Sequence, residues 1–243
     1  MKKVLLIVIA VIFSVLLFTG CSQPNEPSDE FNMELYFPMK VGNWWIYEFY
    51  RLDANGNRTN KIQTDSIIVS GIDTINGKPC YVFVEKNVEY SFYPDTGYYF
   101  IEGPRLYQLF DPWVGYKSQE DWYILANLKT YNWEMFNIYD TLPHWQSPSY
   151  LHAVANMSNN FETKLIFNGD SINCRYFFGE IKYTNRFLGV DSVYVENTIK
   201  RYETQFYYSK NIGIIYQKDL LFEGYNQYSN TDIEKVLIDY GPK

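Results

Sequence analysis

Few side chains in this sequence are of the kinds that carry out chemistry, and their spacing limits what they can do. The two histidines, His144 and His152, stand eight residues apart with Asp140 close by. A zinc ion needs three or four donors in a set geometry, and neither a His-Glu-x-x-His motif nor a cysteine pair at metal spacing occurs. No metal or other cofactor is expected. Cys80 or Cys174 with a histidine would supply the atoms of a thiol nucleophile and its base, but no flanking motif accompanies either cysteine. The phosphate-binding Gly-x-x-x-x-Gly-Lys-[Ser/Thr] loop, the dinucleotide-binding Gly-x-Gly-x-x-Gly turn and the Gly-x-Ser-x-Gly elbow are all missing. Carboxylates are plentiful, at 28 Asp and Glu, but spacing alone cannot pair them for acid–base work. No catalytic residue is nominated.

Recognition chemistry is better represented, with 24 Tyr, 17 Phe and 6 Trp in 243 residues. Tyr and Trp each offer a broad face and one hydrogen-bonding tip, which suits stacking on sugar rings or lining a cavity for an apolar guest. Strands also favour aromatics for cross-strand packing, which accounts for most of them. Trp113, Trp122, Trp133 and Trp145 crowd into one stretch, and these four are the candidate ligand contacts.

The elements that must position these groups read as antiparallel β. Asn55-Gly56, Asn76-Gly77 and Asn168-Gly169 each sit between apolar runs, and Asn-Gly is the strongest two-residue hairpin signal because both positions tolerate positive φ. Residues 67–75 and 80–84 form the clearest hairpin. Asp95-Thr96-Gly97 and Glu102-Gly103-Pro104 cut the following stretch into short aromatic strands at 90–93, 98–101 and 106–110. In 200–208, Tyr202, Thr204, Phe206 and Tyr208 alternate with Arg201, Glu203, Gln205 and Tyr207, the period of a half-buried strand. Residues 212–222 and 232–240 follow as strands. Helical periodicity is weak throughout; 120–139 comes nearest, and 147–156 has room for one or two helical turns. The expected fold is mainly β, an antiparallel sheet curved into a half-barrel or barrel, with an irregular Trp-rich insertion around 111–159 packed over one end. Gly169-Asp170-Ser171-Ile172 resembles the opening of the Gly-Asp-Ser-Leu hydrolases. Their serine gives its proton to a later histidine, whereas both histidines here come earlier, so the reading preferred is a turn whose Asp and Ser bond the local backbone.

The first twenty residues read as an export signal. Lys2 and Lys3 precede a 15-residue stretch, Val4 to Phe18, in which only Ser14 is polar, closed by Thr19-Gly20-Cys21. That run is shorter than the ~18–20 residues a spanning helix needs. Phe18-Thr19-Gly20-Cys21 looks like a bacterial lipobox, with Phe18 in place of the usual Leu. The resemblance implies cleavage after Gly20 and lipidation of Cys21 with diacylglycerol and a further acyl chain, palmitate being typical. Several chains at ~0.8 kcal/mol per buried methylene hold a protein stably in a membrane. Residues 21–30 then form a lipidated tether; 22–29 contain two prolines and no apolar residue. Ser22 after the cysteine implies the outer membrane by the enteric sorting rule. Residues 31–243 remain as one β domain. Removing the leader takes two lysines from a formal charge of −7, and so acidic a chain without a basic run argues against nucleic acid as a partner. The transmembrane-barrel alternative fails because charged or turn residues interrupt nearly every candidate strand. In an oxidising compartment Cys80 and Cys174 either pair or stay as two buried thiols, the latter being commoner in strands.

Tyr36-Phe37-Pro38-Met39-Lys40-Val41-Gly42-Asn43-Trp44-Trp45-Ile46-Tyr47 resembles the opening of a broad set of exported bacterial lipoproteins whose mature domains begin Phe-Pro-Leu-x-x-Gly-Asn-x-Trp-x-Tyr. Met39 for Leu is the one departure. In this pattern Pro38 and Gly42 shape a turn, and Trp45 and Tyr47 fall on one side of a first strand. Lys210-Asn211-Ile212-Gly213-Ile214-Ile215 is similar to a late strand of that set. The resemblance brings no activity, but such domains are akin in architecture to curved half-barrel lipoprotein carriers. The function expected is a non-enzymatic, membrane-tethered domain binding an apolar or glycan ligand or an envelope protein. A polymer hydrolase and a structural envelope component are the alternatives.

Overall fold

Turn residues divide the chain from residue 31 onwards into strands, and the twelve among the described residues pair as a single antiparallel sheet. The computed structural model describes residues 31–53, 55–89, 94–112, 120–142, 149–167, 169–188, 194–222 and 232–242. Its strands are β1 (Trp44–Leu52), β2 (Arg58–Ile75), β3 (Lys78–Asn87), β4 (Asp95–Glu102), β5 (Arg105–Phe110) and β6 (Asp121–Asn127). The second half holds β7 (Asn132–Leu142), β8 (Ser149–Phe167), β9 (Asp170–Leu188), β10 (Tyr194–Ser209), β11 (Gly213–Phe222) and β12 (Ile233–Gly241). The sheet order is β6-β5-β4-β3-β2-β1-β12-β11-β10-β9-β8-β7. Chain neighbours therefore pair throughout, with two departures. The first and last strands pair with each other, and β6 and β7 share no ladder. The sheet curls nearly into a barrel whose unsealed seam lies between those two.

The expected strands at 67–75, 80–84, 98–101, 106–110 and 200–208 all lie in this sheet, as do those at 212–222 and 232–240 from Gly213 and Ile233 onwards. Asn76 and Gly77, both at positive φ, make the two-residue turn between Ile75 and Lys78. The strand expected at 90–93 lies outside the described residues. The region 111–159 departs from the expectation of an insertion. It supplies β6, β7 and the first part of β8 to the sheet itself. Of the stretch 147–156, where one or two helical turns were allowed, the described part from Ser149 is likewise strand, for a packing reason: Ala153 and Ala155, fully buried, lie beneath Phe136 of β7. In β8, Leu151, Ala153, Ala155 and Met157 alternate with His152, Val154 and Asn156. This period of two overrides the local helical preference of Ala, Leu and Met.

The two ends of the barrel differ. At one, strands are joined by short turns at 76–77, 103–104 and 210–212, and two residues separate β8 from β9; at the other the connections that follow β3, β5 and β11 are longer. The chain enters at the tight end, where a single helical turn, α1 (Met33–Tyr36), and Phe37 to Met39 fill the interior. Met33, Tyr36, Phe37 and Met39 are all buried. The Asn211 amide donates to Leu35 O, and the Gly42 amide, at positive φ, to Val69 O. The first strand then starts as the opening pattern implied. Trp45 and Tyr47 point inward together, the indole N–H donating to Ile212 O and the phenol to Ile214 O.

Side chains bridge the seam. The Trp133 indole N–H donates to Ile124 O at 2.8 Å, and Phe110 and Tyr123 pack edge-on against Phe136 across the gap. Asn159, only 2% exposed, donates from its amide side chain to Asn127 O and Leu128 O at 3.1 and 3.2 Å. Its backbone N–H donates to Tyr131 O at 2.7 Å. Asn159→Ala leaves two backbone carbonyls without their donor, a loss of about 1–3 kcal/mol. Amide exchange should rise across 121–142 more than elsewhere; uniform protection after the substitution would rule out this latch.

Cys80 and Cys174 are free and buried, on β3 and β9, as the commoner outcome for strand cysteines leads one to expect. Their thiols lie against Asp73 O and Ile172 O. Burial pushes the Cys174 thiol up to about 11 and raises that of Cys80 as well. Since the thiolate is the reactive form, neither should be alkylated by iodoacetamide at neutral pH until the protein is unfolded in urea, whereupon mass spectrometry should find two adducts.

Candidate functional site

Within the barrel, between the plug and the end carrying the longer loops, lies a chamber of about 560 Å³. Its floor is aromatic because alternate residues of β1, β3 and β4 project inward over Phe37. Phe83 stacks on Phe37 at 5.4 Å on one side and on Trp45 at 5.9 Å on the other. Tyr99 meets Phe83 edge-on at 4.7 Å. Gly97 makes room for that arrangement: a Cβ there would lie 2.8 Å from the Tyr99 ring. Burial raises the phenols of Tyr47, Tyr99 and Tyr208 well above their ordinary range, so all three are neutral hydrogen-bonding groups at neutral pH.

A side chamber of about 430 Å³ adjoins the first, sharing Gln108, Phe110, Leu125 and Phe206 with it. Met135, Met157 and Ile181 make its wall apolar. Its space also depends on a glycine, because a Cβ at Gly179 would fall 2.5 Å from the Met157 sulfur and 2.8 Å from Thr204 Cγ2. Towards the looped end a third space of about 390 Å³ shares Glu85, Asp95, Gln217 and Lys235 with the main chamber.

The polar groups gather at this mouth. Lys235 on β12 pairs with Glu85 on β3 at 3.4 Å, although the two strands are not neighbours, because the sheet curves. Its ammonium also lies 4.6 Å from the Tyr47 ring centre and 5.1 Å from that of Phe49. Asp65 on β2 accepts from Gln63 at 2.7 Å and from Asn87 at 3.0 Å. Burial pushes its carboxyl up from the ordinary aspartate range and the Glu85 charge adds to this, against the pull of those hydrogen bonds and of Lys235.

Of the four tryptophans nominated from sequence, Trp122 and Trp133 are among the described residues. Trp122 meets Phe100 edge-on at 4.8 Å. Trp133 bridges the seam and lies edge-on to Phe177 at 6.3 Å. Neither lines the main chamber; Trp113, Trp145 and His144 lie outside the described residues, as does Cys21. His152 stacks on Tyr139 at 3.9 Å in a cross-strand pair, and its Nε2 lies 2.9 Å from Asn137 Oδ1. Asp170 and Ser171 open β9 and are both exposed. Among the described residues no three His, Cys, Asp or Glu side chains come together as a metal site would require.

Sequence reasoning passed over Lys235, Glu85 and Asp65, yet each carries a signal. Lys235 is in phase with buried Leu237, Glu85 with buried Phe83, and Asp65 with Ile67 and buried Val69. A charged residue two positions from a core residue in a strand points the same way, so each of these reads as an inward charge.

No protein-family model matches this sequence, and no curated protein does. Two solved structures resemble its fold. One, provisionally described as a lipoprotein, from Parabacteroides distasonis ATCC 8503, is 13% identical, with a TM-score of 0.45 over 85% of this chain and 98% of that one. The other, provisionally described as an exported protein with a YmcC-like fold, from Bacteroides fragilis NCTC 9343, is 10% identical, with a TM-score of 0.38 over 83% of this chain and 96% of that one.

Proposed function

We propose that this chain is a bacterial envelope lipoprotein, held in the outer membrane by acyl chains on Cys21, whose barrel binds a small ligand in its lumen without transforming it. The chamber of about 560 Å³ over a floor of stacked aromatic rings carries the ligand-binding half of this reading. The adjoining side chamber of about 430 Å³ is concave and largely apolar, the usual form of small-ligand sites. The signal-like residues 1–20, the lipobox and the polar tether carry the anchoring half. A hydrolase is less well supported: the carboxylates nearest the mouth are engaged, Glu85 with Lys235 and Asp65 with two side-chain amides.

Native mass spectrometry of the protein purified from its own envelope should show a bound non-covalent mass. That mass should vanish in Gln108→Trp, which places an indole where the two chambers join. A clean unliganded mass for the natural protein would remove the ligand-binding reading. Fractionation tests the anchor separately: Cys21→Ala should leave the membrane fraction, or accumulate as uncleaved precursor, and an unchanged distribution would refute lipidation.

A further inference from the structure

Resting on the ligand-binding reading, we infer that the occupant of the lumen is an organic cation with an apolar body, a protonated or quaternary amine whose charge sits at the mouth and whose tail enters the side chamber. Among the described residues, the acids lining the main chamber and mouth are Asp65, Glu85, Asp95, Asp111 and Glu120, against Lys235 as the one base. A cleft lined by one sign of charge between low-dielectric walls concentrates ions of the opposite sign. An anionic ligand would have to rely on Lys235, whose ammonium already touches Glu85 and the faces of Tyr47 and Phe49. It would also bring its charge among the surrounding carboxylates.

The same lysine shows what this wall accommodates. Its ammonium lies between a carboxylate and two aromatic faces, with its side chain only 14% exposed. That combination is the one by which proteins recognise ammonium ligands. Further ring surface of the same kind, on Trp45, Phe83 and Tyr99, lines the chamber beside Glu85 and Asp95. The side chamber, lined by Phe110, Leu125, Met135, Met157 and Ile181 along with the carboxylates Glu203 and Asp219, is largely apolar and gives an alkyl or aryl body its place.

Two single-chain probes of equal tail length and opposite charge test this, decyltrimethylammonium and decanoate. Each is titrated below its micelle concentration into the full chain carrying Cys21→Ala, so that neither acyl chains nor detergent compete. Calorimetry should show one-to-one binding of the cation at least tenfold tighter than that of decanoate, weakening as salt is raised. Glu85→Gln should cut the cation's affinity about tenfold, about 1.4 kcal/mol, while Gln108→Trp abolishes it. Equal or tighter binding of decanoate overturns the cation inference and leaves the ligand-binding reading standing. Binding of neither probe also overturns the inference; only a clean unliganded native mass as well would overturn the reading beneath it. Because both probes meet the same protein, their relative affinity does not depend on how well any lumen variant folds.

Discussion

Replacing Trp45 by alanine should destabilise the barrel by about 3–5 kcal/mol, the range for deleting a large buried aromatic. Trp45 is 5% exposed and ties three parts of the fold together. Its ring stacks on Phe83 of β3, its indole N–H donates to Ile212 O in the turn before β11, and it packs beside Gly213, where a Cβ would lie 3.3 Å from Nε1. For a domain of this size each kcal/mol is worth ~2–4 °C, so the melting midpoint should fall by roughly 6–20 °C. Trp45→Phe separates the contributions. It keeps a ring against Phe83 but leaves the Ile212 carbonyl without its donor, so about 1–3 kcal/mol of the loss should remain. If the phenylalanine variant melts with the natural protein, the hydrogen bond contributes nothing. If the alanine variant does so, the ring is not part of the core.

Tyr36→Ala should be of similar size, again about 3–5 kcal/mol, and should act through the plug. Tyr36 is 2% exposed and is covered by two cations, Arg175 with its guanidinium 5.9 Å from the ring centre and Lys210 with its ammonium at 5.7 Å. Arg175 is itself only 3% exposed. Removing the ring therefore opens a cavity and withdraws an aromatic face from a buried charge, for which little solvent compensates. Limited proteolysis should then cut within 31–43, a stretch otherwise pinned by the Leu35 and Val69 contacts. Tyr36→Phe keeps the face and should stay close to the natural protein. Unchanged melting and unchanged cleavage in the alanine variant would show that the plug is a passive filler.

How much of this was readable beforehand depended on whether local chemistry or long-range closure decided the matter. The hairpin at Asn76-Gly77 was legible because both turn residues carry their own conformational preference, and β10 because Tyr202, Thr204, Phe206 and Tyr208 repeat at the period of a strand. Trp45 and Tyr47 on one face followed from the same rule. The strands within 111–159 were not legible. What fixes β8 there is Ala153 and Ala155 fitting beneath Phe136, a contact between chain segments that no local pattern announces. Lys235 and Glu85 were passed over for a related reason. They stand 150 positions apart and are joined only once the sheet has curled. Their phase with buried neighbours marked each as inward-facing, but only closure makes them partners.

The pairing of β1 with β12 has a consequence for how the molecule is made. Synthesis delivers a chain from its amino end, so Trp44 to Leu52 must wait, one edge uncovered, for partners that are the last to arrive of the twelve strands among the described residues. Two meanders can assemble beforehand, one on each side of the future joint, but bringing together segments so far apart in the chain is slow, because that contact is the most remote the topology contains. Until residues 233–241 have emerged, the nascent protein carries an open strand edge of the kind to which other chains attach themselves, and a chaperone able to mask it would have its clearest target there.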